Sequence, residues 1–232
     1  MVSPREKIER LRRGMAWAYL VIKDELVQTQ FVEEIDWQDS VRIEDVTEQG
    51  FLADCAFVIL NSGMRARVVR DKWPDFYRAF AGFPSAETLL RIEESTTRDA
   101  LMVFNHAGKV KGIFDICRHI QSRGGWEAFW ERASDPELWT MELELLPWIG
   151  PITKYHLAKN LGIDCCKPDR HLERLARAIF VESPHSMCNA IRDVTGDKLA
   201  VIDIVLWRFC EQDPGGNVSR WVKLVREGED KE

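Results

Sequence analysis

Amphipathic segments with a 3.6-residue period follow one another along this chain, on connections of three to six residues rich in Gly, Pro, Asp and Asn. Apolar stripes of that period bury themselves by helix-on-helix packing, so the pattern dictates an all-α fold. The first helix is predicted over 4–27, with Ile8, Leu11, Met15 and Leu20 along one stripe. Residues 28–50 are acidic and irregular, with a short strand predicted at VRIEDV. Residues 52–62 (LADCAFVILNS) are apolar nearly all round, as in a central buried helix. Helices are predicted next at 64–70, 74–80 and 85–93, broken by WPD and GFPS, with Ser85 as an N-cap. Others follow at 96–105, 108–122, 125–132, 136–146, 152–162, 169–181 and 197–212, after which DPGGN gives way to a short tail.

With 45% apolar and 30% charged residues in 232, the chain has ample material for a core, and disordered and low-complexity classes are excluded. No apolar run approaches membrane-spanning length, and the start MVSPREKIERLRRG lacks an apolar signal core, so a soluble intracellular protein without membrane contact is expected. The six cysteines form no C-x2-C pair and no Cys/His metal spacing. They read as reduced core residues, with the adjacent Cys165 and Cys166 as the alternative redox pair. His106, His119, His156 and His185 share no ligand spacing and read as structural.

The net charge of −6 argues against nucleic acid, but its distribution argues for a polyanion partner. Residues 21–56 hold ten acids against Lys23 and Arg42, a local balance of −8. Residues 65–72 (RARVVRDK) and 151–177 each carry +3. The alternative is an ordinary solvated surface.

The chemistry concentrates in 143–177, LELLPWIGPITKYHLAKNLGIDCCKPDRHLERLAR. Pro147 ends one helix, Gly150 supplies a permissive backbone, and Pro151 stands where the next helix begins. Amides at that N-terminus, with Lys154 nearby, can hold a phosphate oxygen. A plain αα-hairpin is the alternative. Asp169 follows Pro168 and begins a helix, as an N-cap or as a reactive carboxylate.

This segment resembles the hairpin and aspartate signature of the helix-hairpin-helix DNA glycosylase superfamily, which includes endonuclease III and the mismatch adenine glycosylases. That family writes L-P-G-(V/I)-G-x-x-T-A, a helix, and then an aspartate about twenty residues on. Leu146, Pro147, Ile149, Gly150 and Thr153 match the hairpin, and Asp169 falls in the aspartate slot. Upstream, DCAFVILNSGMRARVV is similar to the helix ending in L-S-x-Q-x-(T/S), with Leu60, Asn61 and Gly63 at the leucine, serine and glutamine. FNHAGKVKGIFDICRHI is similar to the helix carrying K-A-x-x-(I/L), with Lys111 in the lysine slot. The likeness spans about 52 to about 180.

Three departures shape what the resemblance implies. Trp148 replaces the first hairpin glycine, the Schiff-base lysine position of bifunctional members is Ile152, and the cysteine spacing of an iron–sulfur cluster is missing. The implied protein is a monofunctional, monomeric, nucleoid-associated cytoplasmic glycosylase. It acts on double-stranded DNA containing a modified base and uses no cofactor beyond a monovalent cation at the hairpin. Its implied fold is bilobal, with a cleft between lobes: 45–160 as a helical barrel ending in the hairpin, and 1–44 plus 161–232 as a second lobe carrying Asp169.

Removing a base builds oxocarbenium character on the sugar, which a carboxylate stabilises while orienting the attacking water, and Asp169 is the candidate. The candidate DNA contacts are Trp148, Gly150, Ile152, Thr153, Lys154, Lys111 and Arg170. A flipped nucleotide needs a wedge, for which Met64 and Arg65 are the candidates, and a lined pocket, for which Trp126, Trp139 and His171 are. Two other readings compete: a non-catalytic helix-hairpin-helix DNA-binding protein, and a bifunctional lyase using Lys154 or another displaced lysine.

Overall fold

The computed structural model describes residues 3–213 and 215–231, so Pro214 of the DPGGN break lies outside the described residues. Every regular element among them is helical: fourteen α-helices and one 3-10 turn. No helix among them is long and apolar enough to cross a membrane. The chain divides into two compact units, Met1–Val41 with Gly162–Glu232, and Arg42–Leu161.

The first unit is built on α1 (Pro4–Val27), capped by the Ser3 hydroxyl, which accepts from Glu6 N at 3.2 Å. Its buried stripe runs Met15, Ala18, Tyr19, Ile22 and Leu26, spaced three and four apart. Ile8 and Leu20, expected on that stripe, are instead exposed; Leu20 lies five residues from Met15 and so points well off the buried line. Residues 32–40, expected to be irregular, form α2 (Val32–Ser40), which buries Ile35 and Gln38. Arg208 holds this helix from below, bridging Glu34 and Glu211 while stacking 4.7 Å from the rings of Phe31 and Trp207.

Four helices complete the unit: α11 (Arg170–Ala178), α12 (Pro184–Thr195), α13 (Leu199–Gln212) and α14 (Gly216–Glu229). α12 was not expected, although its signals are in the chain: Ser183 caps it, Pro184 opens it, and Gly196 closes it at φ 77°. α14 replaces the expected tail and packs along α1 at very short range. The approach depends on Gly14 and Gly228, because a Cβ on Gly228 would stand 3.0 Å from Gly14 Cα and 2.7 Å from Trp17 Cβ.

The second unit holds α3 (Glu48–Asn61), α4 (Ala66–Ala79), α5 (Ala86–Arg91), α6 (Glu93–Val103), α7 (Ala107–Ser122), α8 (Trp126–Ala133), α9 (Trp139–Glu144) and α10 (Thr153–Asn160). The strand expected at VRIEDV is a 3-10 turn, Ile43–Asp45, with no partner strand among the described residues. α3 is the buried centre and packs against α4, α7 and α10. The two helices expected on either side of WPD are one, with Pro74 inside α4. Trp73, Phe76, Tyr77 and Phe80 pack into a shared ring cluster with Phe57, Phe83, Phe104 and Phe114, and that burial outweighs the lost helix bond. Glu142 of α9, fully buried, accepts from Arg123 after α7 (2.5 and 2.8 Å) and from Arg132 of α8 (2.8 Å). Burial raises its pKa, but the two guanidinium groups outweigh burial and hold it below the usual carboxylate range.

A methyl group at Gly228 would meet rigid neighbours on α1. Gly228→Ala is therefore expected to cost about 1–3 kcal/mol by overpacking, lowering Tm in a thermal melt by about 2–4 °C for each kcal/mol.

Candidate functional site

The hairpin between α9 and α10 is an irregular turn over residues 145–152. Trp148 stands in the left-handed region at φ 67°, where the resembled family has glycine. A non-glycine residue there carries strain of about 1–2 kcal/mol, offset only if its side chain gains contacts. Trp148 gains them on α7, whose Gly108 and Gly112 leave a groove for the indole. A Cβ on Gly112 would lie 2.4 Å from Trp148 Cδ1, and one on Gly108 would lie 3.3 Å from Cζ2. His106 meets the same ring edge-on at 6.1 Å. Trp148 keeps 46% of its surface exposed beside Ile152 at 41% and Leu145 at 53%.

Behind the tip, Gly150 N donates to Thr153 Oγ1 at 2.7 Å, and Lys154 N donates to Gly150 O at 3.0 Å. These bonds close the loop among its own atoms. Among the described residues, the amides of Ile152 and Thr153 have no backbone acceptor, so they are left for an outside one. Lys154 does not stand with them. Its ammonium lies 2.5 Å from Glu144 Oε2 and 5.4 Å from the Tyr155 ring centroid, and its side chain is 12% exposed.

The loop after α3 carries Gly63 at φ 71°, then the half-exposed Met64 and the exposed Arg65. What holds this loop is Lys109, a residue the sequence reading passed over. Its ammonium, covered yet close under the surface, donates to Leu60 O at 2.8 Å and Ser62 O at 2.6 Å and so caps the C-terminus of α3. Burial lowers its pKa. Lys111 is exposed and pairs with Asp115 at 2.6 Å. The spacing could have told them apart, because in a K-A-x-x-I pattern ending at Ile113 the lysine is Lys109.

Of the pocket candidates, Trp126 stacks on Trp130 at 5.1 Å and meets Phe51 of α3 at 5.3 Å. Trp139 opens α9 and meets Tyr155 of α10 edge-on at 5.7 Å. Both are half-buried, and among the described residues they share no ring contact. His171 belongs to the first unit. It is buried against Trp207, its Nδ1 has no partner, and Arg170 Nε lies 3.4 Å from its Nε2. Burial chiefly lowers its pKa, which favours a neutral imidazole; Asp169 opposes that shift, and Arg170 and Arg174 reinforce it.

Asp169 is the N-cap of α11: Oδ1 accepts from His171 N at 2.8 Å and Leu172 N at 3.4 Å. Oδ2 is thereby left outside the cap, 3.7 Å from Lys167 Nζ, in a side chain 12% exposed. The segment leading to it is pinned to the start of α13. Asp164 Oδ1 accepts from Ala200 N at 3.1 Å, and the buried Asp203 accepts from Lys167 N at 2.5 Å. Asp203 thus positions the reactive candidate without standing near it in sequence. Its signal was legible as the lone acid in the apolar run AVIDIVLW, and Asp54 in LADCAFVIL is marked the same way.

Two substitutions probe these supports. Lys109→Met leaves the buried Leu60 carbonyl and the part-buried Ser62 carbonyl without this donor, so a loss of about 1–3 kcal/mol is expected, with faster amide exchange confined to residues 62–65. Gly112→Val should displace the Trp148 indole, read as a red shift and increased quencher access in tryptophan fluorescence. Unchanged spectra would mean the indole does not lie in that groove. No protein-family model matches this chain, and neither does any curated protein or any solved structure.

Proposed function

We propose that this chain is a monofunctional DNA glycosylase that hydrolyses the N-glycosidic bond of a modified base flipped out of duplex DNA. The observation that carries this reading is the backbone of the hairpin. Trp148 adopts a left-handed conformation in the place of a glycine, and it does so at the expense of a groove kept open by two glycines of α7. The turn also leaves the Ile152 and Thr153 amides at the start of α10 without a backbone acceptor among the described residues, as a loop that presents amides to a phosphate requires.

In this reading the Ile152 and Thr153 amides take a backbone phosphate oxygen. Asp169 is the carboxylate that stabilises the positive charge growing at C1′ as the base leaves and accepts a proton from the attacking water, through the Oδ2 that its cap leaves open. The Met64–Arg65 tip, held through Lys109, fills the gap left in the stack. The lyase alternative has less support, because Lys154 is engaged with Glu144 and its stem is largely covered.

The test is base release from a panel of duplexes, each carrying one modified base, read as alkali-labile strand cleavage. Wild type should release at least one base, and Asp169→Asn should release it at least about 100-fold more slowly while binding the duplex comparably. Borohydride should trap no protein–DNA adduct. Release unchanged in Asp169→Asn would remove that carboxylate from the mechanism, and duplex binding without release from any substrate would leave a DNA-binding module instead.

A further inference from the structure

The turn that closes α11 holds an aromatic ring outward on a strained backbone. Val181 N donates to Ala176 O at 2.9 Å and Phe180 N donates to Arg177 O at 3.2 Å, the bond pair of a Schellman turn. Phe180 occupies the left-handed position of that turn at φ 60°. Glycine takes such a position freely, as Gly196 does where α12 ends. Two other aromatic residues in this region, Phe83 and Trp148, are held there by packing: Phe83 is fully buried among rings, and Trp148 lies in its groove. Phe180 is 96% exposed and meets no ring among the described residues. Neither its backbone strain nor its ring exposure is offset by a contact there.

The same helix presents cations along its outer face. His171, Leu172, Leu175 and Ala176 bury one side of α11, which packs against α12, α13 and α14. Arg170, Arg174 and Arg177, four and three residues apart, form an exposed stripe opposite that side. On α4, α5 and α6 exposed arginines have an acid four residues away: Arg67 with Asp71, Arg91 with Glu87 and Arg98 with Glu94. Arg174 and Arg177 have no ion pair among the described residues, and the acids nearest them in sequence, Glu173 and Glu182, take up neither. The helix dipole favours Arg177 in the last turn but opposes Arg170 in the first, so the helix itself does not account for the stripe.

Resting on the glycosylase reading for duplex DNA as the partner, we infer that α11 is a DNA-docking surface of the first unit. Arg170, Arg174 and Arg177 lie on phosphates of one strand, and Phe180 enters between two base pairs as a wedge. From Arg170 to Arg177 the helix rises about 10 Å, or about three steps of one DNA strand. A polyanion satisfies cations that have no acid, and a base step supplies the stacking surface that the exposed ring lacks. Such a wedge unstacks the step and kinks the duplex. The Schellman turn fixes the start of the wedge to the end of the stripe, so the phosphate contacts set where the ring enters.

The experiment uses the full chain and a short unmodified duplex with a dye at each end, so that it does not depend on which base is excised. Wild type should bind and draw the dyes together by energy transfer as the duplex kinks. In Phe180→Gly the new residue suits the left-handed backbone, so Tm should stay at or above that of wild type. The kink should be lost and affinity should fall about tenfold, with the salt dependence unchanged. Arg174→Gln combined with Arg177→Gln should lower the slope of log affinity against log salt by about 0.9 for each arginine. A kink that survives in Phe180→Gly, or a slope unchanged in the double variant, would overturn the inference. So would a wild type that neither binds nor kinks the duplex, whether or not it binds phosphatidylserine vesicles. Base release from the modified duplexes alongside any of those results leaves the glycosylase reading standing. A kink lost in Phe180→Gly, with no base released from any duplex, keeps the α11 surface and overturns that reading instead.

Discussion

The indole of Trp148 laid over Gly108 and Gly112 is the contact on which the hairpin depends. A loop of this shape is usually made by glycine, which enters the left-handed region freely. Here a bulky residue enters it, so the strain must be offset by burial, and the burial requires two neighbours without side chains. The constraint passes from the loop into α7, whose glycines would otherwise weaken a helix to no purpose. It also ties the turn to the helix that supplies Lys109, so hairpin and candidate wedge loop share one support.

Buried charge is used in the same economical way on both units. Lys109 faces carbonyls at a helix end, Glu142 faces two arginines, and Asp203 faces the amide of Lys167. Each joins separate elements of its own unit and is satisfied where it lies.

Helix boundaries were legible where caps and breakers stood at the ends. Ser3 with Pro4, Ser85, and Asp169 all begin helices through their own side chains. α4 was misread because Pro74 is a breaker in isolation, and its cost is overcome only by rings that meet it in space. α14 was missed because glycines and charges surround its short apolar stripe; its stability comes from Gly228 lying against Gly14, more than two hundred residues away in the chain. On the candidate site, the order of Pro147, Gly150, Pro151 and Asp169 declared a turn and two helix starts. The K-A-x-x-I spacing ending at Ile113 falls on Lys109 rather than Lys111, and Lys109 is the lysine on the face of α7 that meets α3.

By itself, then, the sequence determined the all-α class, the place of the hairpin and the capping carboxylate at 169, because period, breakers and caps act within a few residues. The tertiary structure alone decided that Trp148 could take a glycine's conformation and that Lys154 would be held by Glu144. Each of these depends on what a neighbouring helix places opposite, and packing between distant segments is not written in local spacing.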